Sequence, residues 1–279
     1  MHTIIVVIYW ILVLLCGVMA AINFTHLLVS VFYEFRQAFW VMTIFVLSSG
    51  IAVSQGLESF ARAAVVFGVM LLIGLIAIVV GLWKEYSWLN FVVPRLQLNE
   101  SIRGIYQGFA MNFEMVAILL LLPYVGTGQP QKSLVGWWIG IVAVASEGII
   151  FMLMFALGGY GANLQFPVFE AASLARLMVF QHLDAVFIAL WVVMGVSKLA
   201  VYLFLASELW GELLRKEPCA VIIWFNIGVM LVLGILCLFL PKLAETIYSL
   251  ASYGLITVVG VLLLPIVGWL TRKVGNKRR

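Results

Sequence analysis

Charged residues are scarce in this sequence. Only 10% of the 279 residues are Asp, Glu, Lys or Arg, whereas 65% are hydrophobic, and the mean hydropathy is +1.17. A chain of this composition must place most of its surface in lipid or against other lipid-embedded helices. The composition therefore leaves no room for a soluble domain, and it predicts an all-α polytopic membrane protein in the cell membrane.

Cysteine and histidine are also scarce. Cys16, Cys219 and Cys237 show no CxxC spacing, and we interpret them as small packing residues. The three histidines are too scattered to predict a metal site. The sequence shows no nucleophile elbow, phosphate loop or metal-binding triad, so we expect no catalytic residue, cofactor or metal and no enzymatic activity. The net charge of +4 comes mainly from the C-terminal tail, which indicates membrane topology rather than nucleic-acid binding.

Apolar runs long enough to cross a bilayer can be counted between the polar segments. A helix needs about 20 such residues, and by this measure about eight transmembrane helices are predicted. The runs are roughly Thr3 to Val29, Ala38 to Ser54, Ala63 to Trp83, Ile102 to Val125, Leu134 to Leu157, Ala185 to Leu209, Ala220 to Leu240, and Ile247 to Leu270.

Three ionisable residues lie deep inside these runs: Glu114, Glu147 and Lys198. Each is close to the centre of its run by residue count, so the three are expected to share a depth in the membrane. Placing an ionised side chain at that depth costs on the order of 3 kcal/mol, and such residues normally face a cavity, a partner or a ligand. These residues are therefore the leading candidates for a functional site.

The fourth run, IRGIYQGFAMNFEMVAILLLLPYV, has further features of a solute site. Gly104, Gly108 and Asn112 are expected to loosen its first half, just before Glu114. Transporter sites near the midplane are often built on such discontinuous helices, whose freed backbone groups bind a small polar solute. We therefore predict a ligand site near Gly108, Asn112 and Glu114.

The fifth run is expected to turn Glu147 toward protein. Gly136, Gly140, Ala143 and Glu147 share one helical face, and small residues allow close helix packing in membranes. Two interpretations of the charges remain open. In the first, Lys198 forms a structural ion pair with one glutamate while the other stays protonated. Alternatively, Lys198 and a glutamate balance the two charges of a zwitterionic solute, or Lys198 replaces a coupling cation.

The connection after the fifth run has an amphipathic pattern. It reads FPVFEAASLARLMVFQHLD, with Pro167 suited to a first helical turn. Glu170, Ser173, Arg176 and Gln181 form a polar stripe opposite apolar residues. This pattern predicts an amphipathic helix that covers the outer face of the bundle, as a packed linker or as a moving lid.

From Phe166 to Phe204 the sequence resembles the spore germination permease family, the B-subunit type of the germinant receptors. The pattern is an aromatic residue and Pro followed by Glu, then Leu-Asp-Ala, a Trp and a Lys. The matching residues are Phe166, Pro167, Glu170, Leu183, Asp184, Ala185, Trp191 and Lys198. The stretch ending in Glu114, with the Leu-rich segment after it, is similar to the broken sixth helix of the family.

The resemblance implies the fold of the amino acid–polyamine–organocation superfamily, two inverted repeats of five helices. Aligned by the motif, the chain starts at the family's third helix, so a partial fold lacking the first two helices is expected. The single transmembrane domain, residues 1–279, would then comprise the remainder of the first repeat, 1–101, and the second repeat, 102–279.

The resemblance also implies a function. The protein would lie in the spore inner membrane with A and C partner subunits, bind a nutrient such as an amino acid, and trigger germination. Its ligand-binding residues would be Gly108, Asn112, Glu114, Glu147 and Lys198. A proton-coupled amino acid transporter and a degenerate scaffold subunit that binds no ligand are the alternatives.

Overall fold

The structure is a computed structural model that describes residues 2–32, 37–91, 98–111, 114–124, 131–177, 183–217, 219–247 and 249–267. Every regular element in these ranges is helical, which confirms the all-α prediction. Five of the described helices are long and apolar enough to cross a membrane, and three shorter helices are also apolar. Because these helices overlap the eight predicted runs, the polytopic membrane architecture is confirmed as well.

The helices in chain order are α1 (His2–Phe32), α2 (Ala38–Ser54), α3 (Leu57–Gly81), α4 (Leu98–Met111), α5 (Met115–Leu121), α6 (Gln131–Leu157), α7 (Pro167–Leu174), α8 (Asp184–Leu214), α9 (Ala220–Phe239), α10 (Pro241–Ile247) and α11 (Leu250–Thr257). A π-helical segment, Val258–Leu263, continues α11. Short 3₁₀ turns at Trp88–Asn90 and Gly158–Asn163 flank the ends of α3 and α6.

The chain divides into two compact units. The first contains Met1–Ala61, Leu96–Leu122 and Gly195–Arg279, and the second contains Arg62–Arg95 and Pro123–Met194. The compact units reflect which parts of the chain pack together, whereas the predicted repeats reflect internal symmetry. The division into repeats 1–101 and 102–279 therefore stays a prediction.

Small residues bring the helices of the first unit close together. A Cβ on Gly234 of α9 would lie 2.7 Å from Met42 Sδ of α2, and one on Gly50 of α2 would clash with the Ile227 side chain of α9. The rings of Phe24 on α1 and Phe45 on α2 stack with centroids 5.6 Å apart. Lipid tails give helices no hydrophobic reason to associate, so close packing of this kind supplies much of their attraction.

A buried asparagine links three helices of the first unit. Trp10 Nε1 of α1 donates to Asn226 Oδ1 of α9 at 2.8 Å. The Asn226 amide donates to the carbonyl of Ile222 at 2.9 Å and to Ser207 Oγ of α8 at 3.4 Å. Since both the oxygen and the amide nitrogen of Asn226 have partners, its burial is compensated.

The second unit contains α6 and α7, most of α3 and the first turns of α8. The connection after α3 is hydrogen-bonded to the end of α6: the Ser87 backbone amide and the Asn90 side-chain Nδ2 both donate to the Phe155 carbonyl, at 3.2 and 3.0 Å. The Phe91 ring stacks on Phe155 with centroids 5.1 Å apart. Trp88 is exposed beside them, as expected of an aromatic residue at a membrane interface.

The predicted amphipathic helix after α6 is shorter than expected. Pro167 does occupy the first turn of α7, but the helix ends at Leu174. Ala175 adopts an extended conformation, and the Arg176 amide donates to the carbonyl of Gly81 at 3.1 Å. This bond to the end of α3 replaces a further helical turn, so Arg176 does not extend the polar stripe, and Gln181 lies outside the described residues.

The cysteines divide into two kinds. Cys16 and Cys237 are buried in α1 and α9, as predicted for packing residues. Cys219 is exposed at the N-cap of α9, so the packing interpretation is wrong for this residue. Its thiol is available for labelling.

Candidate functional site

The fourth predicted span is discontinuous, as its sequence pattern predicts, and consists of two helices. α4 ends at Met111 and α5 begins at Met115, with Glu114 at the N-cap of α5. The Glu114 side chain makes no capping hydrogen bond, so its carboxylate is available to other partners. The predicted loosening at Gly104 and Gly108 is wrong, because both residues lie within the continuous helix α4. Asn112 lies outside the described residues.

The last span packs along both halves of this broken helix. A Cβ on Gly254 of α11 would clash with the Tyr106 hydroxyl of α4, whereas one on Gly260 of the π-helical segment would meet Val116 of α5. The last span therefore changes from α-helical to π-helical geometry at Val258, between the residue that contacts α4 and the residue that contacts α5. Single π-helical turns inside α-helices occur frequently at functional sites, and the sequence carries no local signal for this one.

Lys198 of α8 forms an ion pair with Glu114. Its Nζ donates to Glu114 Oε1, and both residues belong to the first unit. The Lys198 side chain is 33% exposed and the Glu114 side chain 43% exposed. An ion pair that only holds helices together can be fully buried. The Lys198–Glu114 pair is partly exposed and is accessible to a molecule from outside the chain.

Two residues near the pair were missed from sequence. Tyr202 follows Lys198 by one helical turn and is 2% exposed, and Cys16 of α1 is equally buried. The charge of Glu114 acts on both side chains, and that of Lys198 acts on Cys16. The spacing of four residues between Lys198 and Tyr202 was visible in the sequence and predicts a shared face. No sequence signal indicated Cys16, which lies 182 positions away from Lys198 along the chain.

The other predicted site residues are placed differently. Gly108 is exposed in α4, one turn before Met111, and no atom would crowd a Cβ there. Glu147 lies on α6 in the second unit, and its side chain is exposed. The expectation that its helical face packs against protein is wrong for the described chain, because Gly136, Gly140 and Ala143 are exposed too. A contribution of Gly108 or Glu147 to ligand binding stays a prediction.

The arrangement of Lys198 and Glu114 suits a small molecule that carries both charges. An ammonium group can replace Lys198 beside the carboxylate, while a carboxylate group can replace Glu114 beside the lysine. Such an exchange leaves each charge beside one of opposite sign in a region of low dielectric constant, where an uncompensated charge is expensive.

The helices and this charge pair together define a multi-pass membrane protein with a partly accessible ion pair at a helix break. A protein-family model described as spore germination protein matches residues 2–245. The chain therefore belongs to this family of spore germination proteins, and the resemblance inferred from sequence is confirmed. No curated protein and no solved structure matches the chain. Family membership supports a role in spore germination and a permease-type membrane protein.

Proposed function

We propose that the chain is the membrane subunit of a nutrient germinant receptor, which binds a small zwitterionic solute such as an amino acid and triggers germination. The observation that carries this proposal is the partly exposed Lys198–Glu114 pair at the break between α4 and α5. The family supplies the biological setting, spore germination. The A and C receptor subunits as partners and the spore inner membrane as location belong to the same proposal.

In this proposal the solute opens the ion pair and takes a position between its members. The solute ammonium contacts the Glu114 carboxylate, and the solute carboxylate contacts the Lys198 ammonium. Because α5 and α8 carry the two charges, a bound solute that separates them changes how these helices lie against each other. That change in the first unit is the signal passed to the partner subunits. Glu147 is not needed for this mechanism.

The test is equilibrium binding of labelled amino acids to the protein in lipid vesicles, with germination measured in spores carrying the same variants. We expect Glu114→Gln to abolish both solute binding and the nutrient response while the protein remains folded and inserted. A variant that loses only thermal stability and keeps its response would instead identify a scaffold subunit. Glu85→Gln is the matched control, because Glu85 is an exposed carboxylate outside the spans.

A proton-coupled amino acid transporter is the second candidate. The observation in its favour is again the contact between Lys198 and Glu114, since a carboxylate that alternates between a lysine and a proton can carry that proton across the membrane. Uptake of labelled amino acid into proteoliposomes under a pH gradient distinguishes the two candidates. A receptor binds the solute without net flux, whereas a transporter accumulates it.

A further inference from the structure

The face of α6 that carries Glu147 is exposed along several helical turns. Gly136, Gly140, Ala143 and Glu147 succeed one another on this face. Beside it lies a groove of about 800 Å³ within the second unit, with Leu72 of α3 on one side and Gly136, Gly140 and neighbouring residues of α6 on the other. Lipid tails could fill the apolar part of this groove, but they cannot pair with a carboxylate.

Glu147 is deep in the membrane by its position along the helix. It is three residues from the middle of α6, which corresponds to about 4.5 Å along the helix axis. Exposure of an ionised carboxylate to lipid at this depth is unfavourable, and such groups usually have an identifiable partner. In the sequence Lys198 is the only basic residue near the middle of a predicted span, and it is engaged by Glu114. In the part of the chain that the structure describes, no basic side chain pairs with Glu147, so a partner can supply the complementary charge.

A second copy of the chain is a poor source of that charge. A two-fold symmetric contact through this face would bring Glu147 of one copy toward Glu147 of the other, because such interfaces use the same patch twice. Two carboxylates at this depth would repel each other. A partner that complements this face therefore carries a cation opposite the Glu147 carboxylate.

We propose that this α6 face docks a transmembrane helix of another polypeptide, which carries a Lys or Arg near its middle and pairs it with Glu147. Gly136 and Gly140 have no side chains beyond Cα and leave space for the backbone of an incoming helix. Charge complementarity sets the depth of the docked helix, and the groove beside Leu72 receives its side chains. The proposal does not depend on solute binding at Glu114.

The test uses a 22-residue transmembrane peptide of Leu and Ala with one central Lys, and the same peptide with a central Leu. The full chain carries a donor fluorophore on Cys219, and energy transfer to labelled peptide is measured in phosphatidylcholine vesicles. We expect the Lys peptide to associate at least tenfold more tightly than the Leu peptide. Glu147→Gln should remove this preference, and Glu85→Gln should leave it intact. Equal association of both peptides with the unaltered chain would overturn the proposal.

A second variant tests the groove without changing the charge. Gly140→Leu should weaken association of the Lys peptide about tenfold, because its side chain projects into the space that a docked helix would use. Unchanged association would overturn the proposed site. Donor- and acceptor-labelled copies of the chain are mixed in parallel; self-association that disappears in Glu147→Gln would make a second copy the occupant and overturn the proposal. Retained amino acid binding in Gly140→Leu separates this result from the function proposed for Glu114.

Discussion

Glu114 and Glu147 lie near the middle of their predicted spans, but their surroundings differ. Glu114 follows a helix break and is paired with Lys198, so its counter-charge belongs to the same chain. Glu147 lies on an intact helix, with its side chain exposed on the face whose Gly136 and Gly140 line a groove. The comparison teaches that the depth of a charge can be predicted from residue counts, whereas its partner is decided by which helices meet.

The largest effect is expected from removing the Glu114 partner. Lys198→Met leaves the carboxylate without its cation and removes the group proposed to hold the solute carboxylate. We expect solute affinity to fall at least 100-fold, equivalent to about 2.7 kcal/mol, in equilibrium binding to vesicles. Helix content should be retained.

The matched control is Lys216→Met, because Lys216 is exposed after the end of α8. It should leave solute affinity unchanged. Unaltered solute affinity in Lys198→Met would show that the pair has no part in binding.

A smaller effect is expected from the packing around α8. A Cβ on Gly195, one turn before Lys198, would lie 2.8 Å from the Phe24 ring. Overpacking of this kind costs about 1–3 kcal/mol, so Gly195→Ala should unfold at a lower denaturant concentration. Gly68→Ala on α3 meets no atom within 4 Å and should be neutral or slightly stabilising. Equal stability of the two variants would contradict the close approach of α1 and α8.

The buried asparagine should contribute about as much. Asn226→Ala leaves the Trp10 N–H without its acceptor, and an unsatisfied buried donor costs about 1–3 kcal/mol. Thermal unfolding in detergent measures the loss. The control is Asn163→Ala, since Asn163 is exposed and its amide makes only a 3.5 Å contact with the Gly159 carbonyl. A loss of the same size in the control would mean that the α1–α8–α9 network is not what stabilises the first unit.

The smallest effect concerns the π-helical segment. Tyr9 of α1 donates its hydroxyl to the Gly260 carbonyl at 3.1 Å. Interhelical hydrogen bonds in membranes contribute about 0.6 kcal/mol on average, so Tyr9→Phe should destabilise the protein by about that amount. The exposed Tyr160 provides the comparison, and Tyr160→Phe should show no change in the same unfolding measurement. A Tyr9→Phe protein as stable as the unaltered chain would indicate that this bond is not maintained in the membrane.

Much of the helical architecture could be predicted from sequence because each apolar run carries its own signal. The depth of Glu114, Glu147 and Lys198 followed from counting residues. The ion pair did not, because 84 positions separate its members and either glutamate could have met the lysine. Only the packing of α5 and α8 in the first unit decides between them.

Two other predictions from local sequence pattern, at α4 and at α7, were wrong. Gly104 and Gly108 are weak helix formers, yet α4 continues through both and ends at Met111. α7 was predicted too long because its periodic pattern continues beyond Leu174, whereas the Arg176 amide bonds to Gly81, a residue 95 positions earlier. Contacts with distant backbone override helical periodicity, and the sequence pattern of a single segment does not contain them.

The most direct test of the Glu114–Lys198 account is a charge exchange, measured as solute binding and stability in the same vesicles. The double variant Glu114→Lys, Lys198→Glu keeps an ion pair between α5 and α8 but reverses its direction. If the pair orients a zwitterionic solute, stability should return close to that of the unaltered chain while solute affinity stays at least tenfold lower. Full recovery of both stability and solute affinity would contradict this account and would make the pair a structural link between the helices.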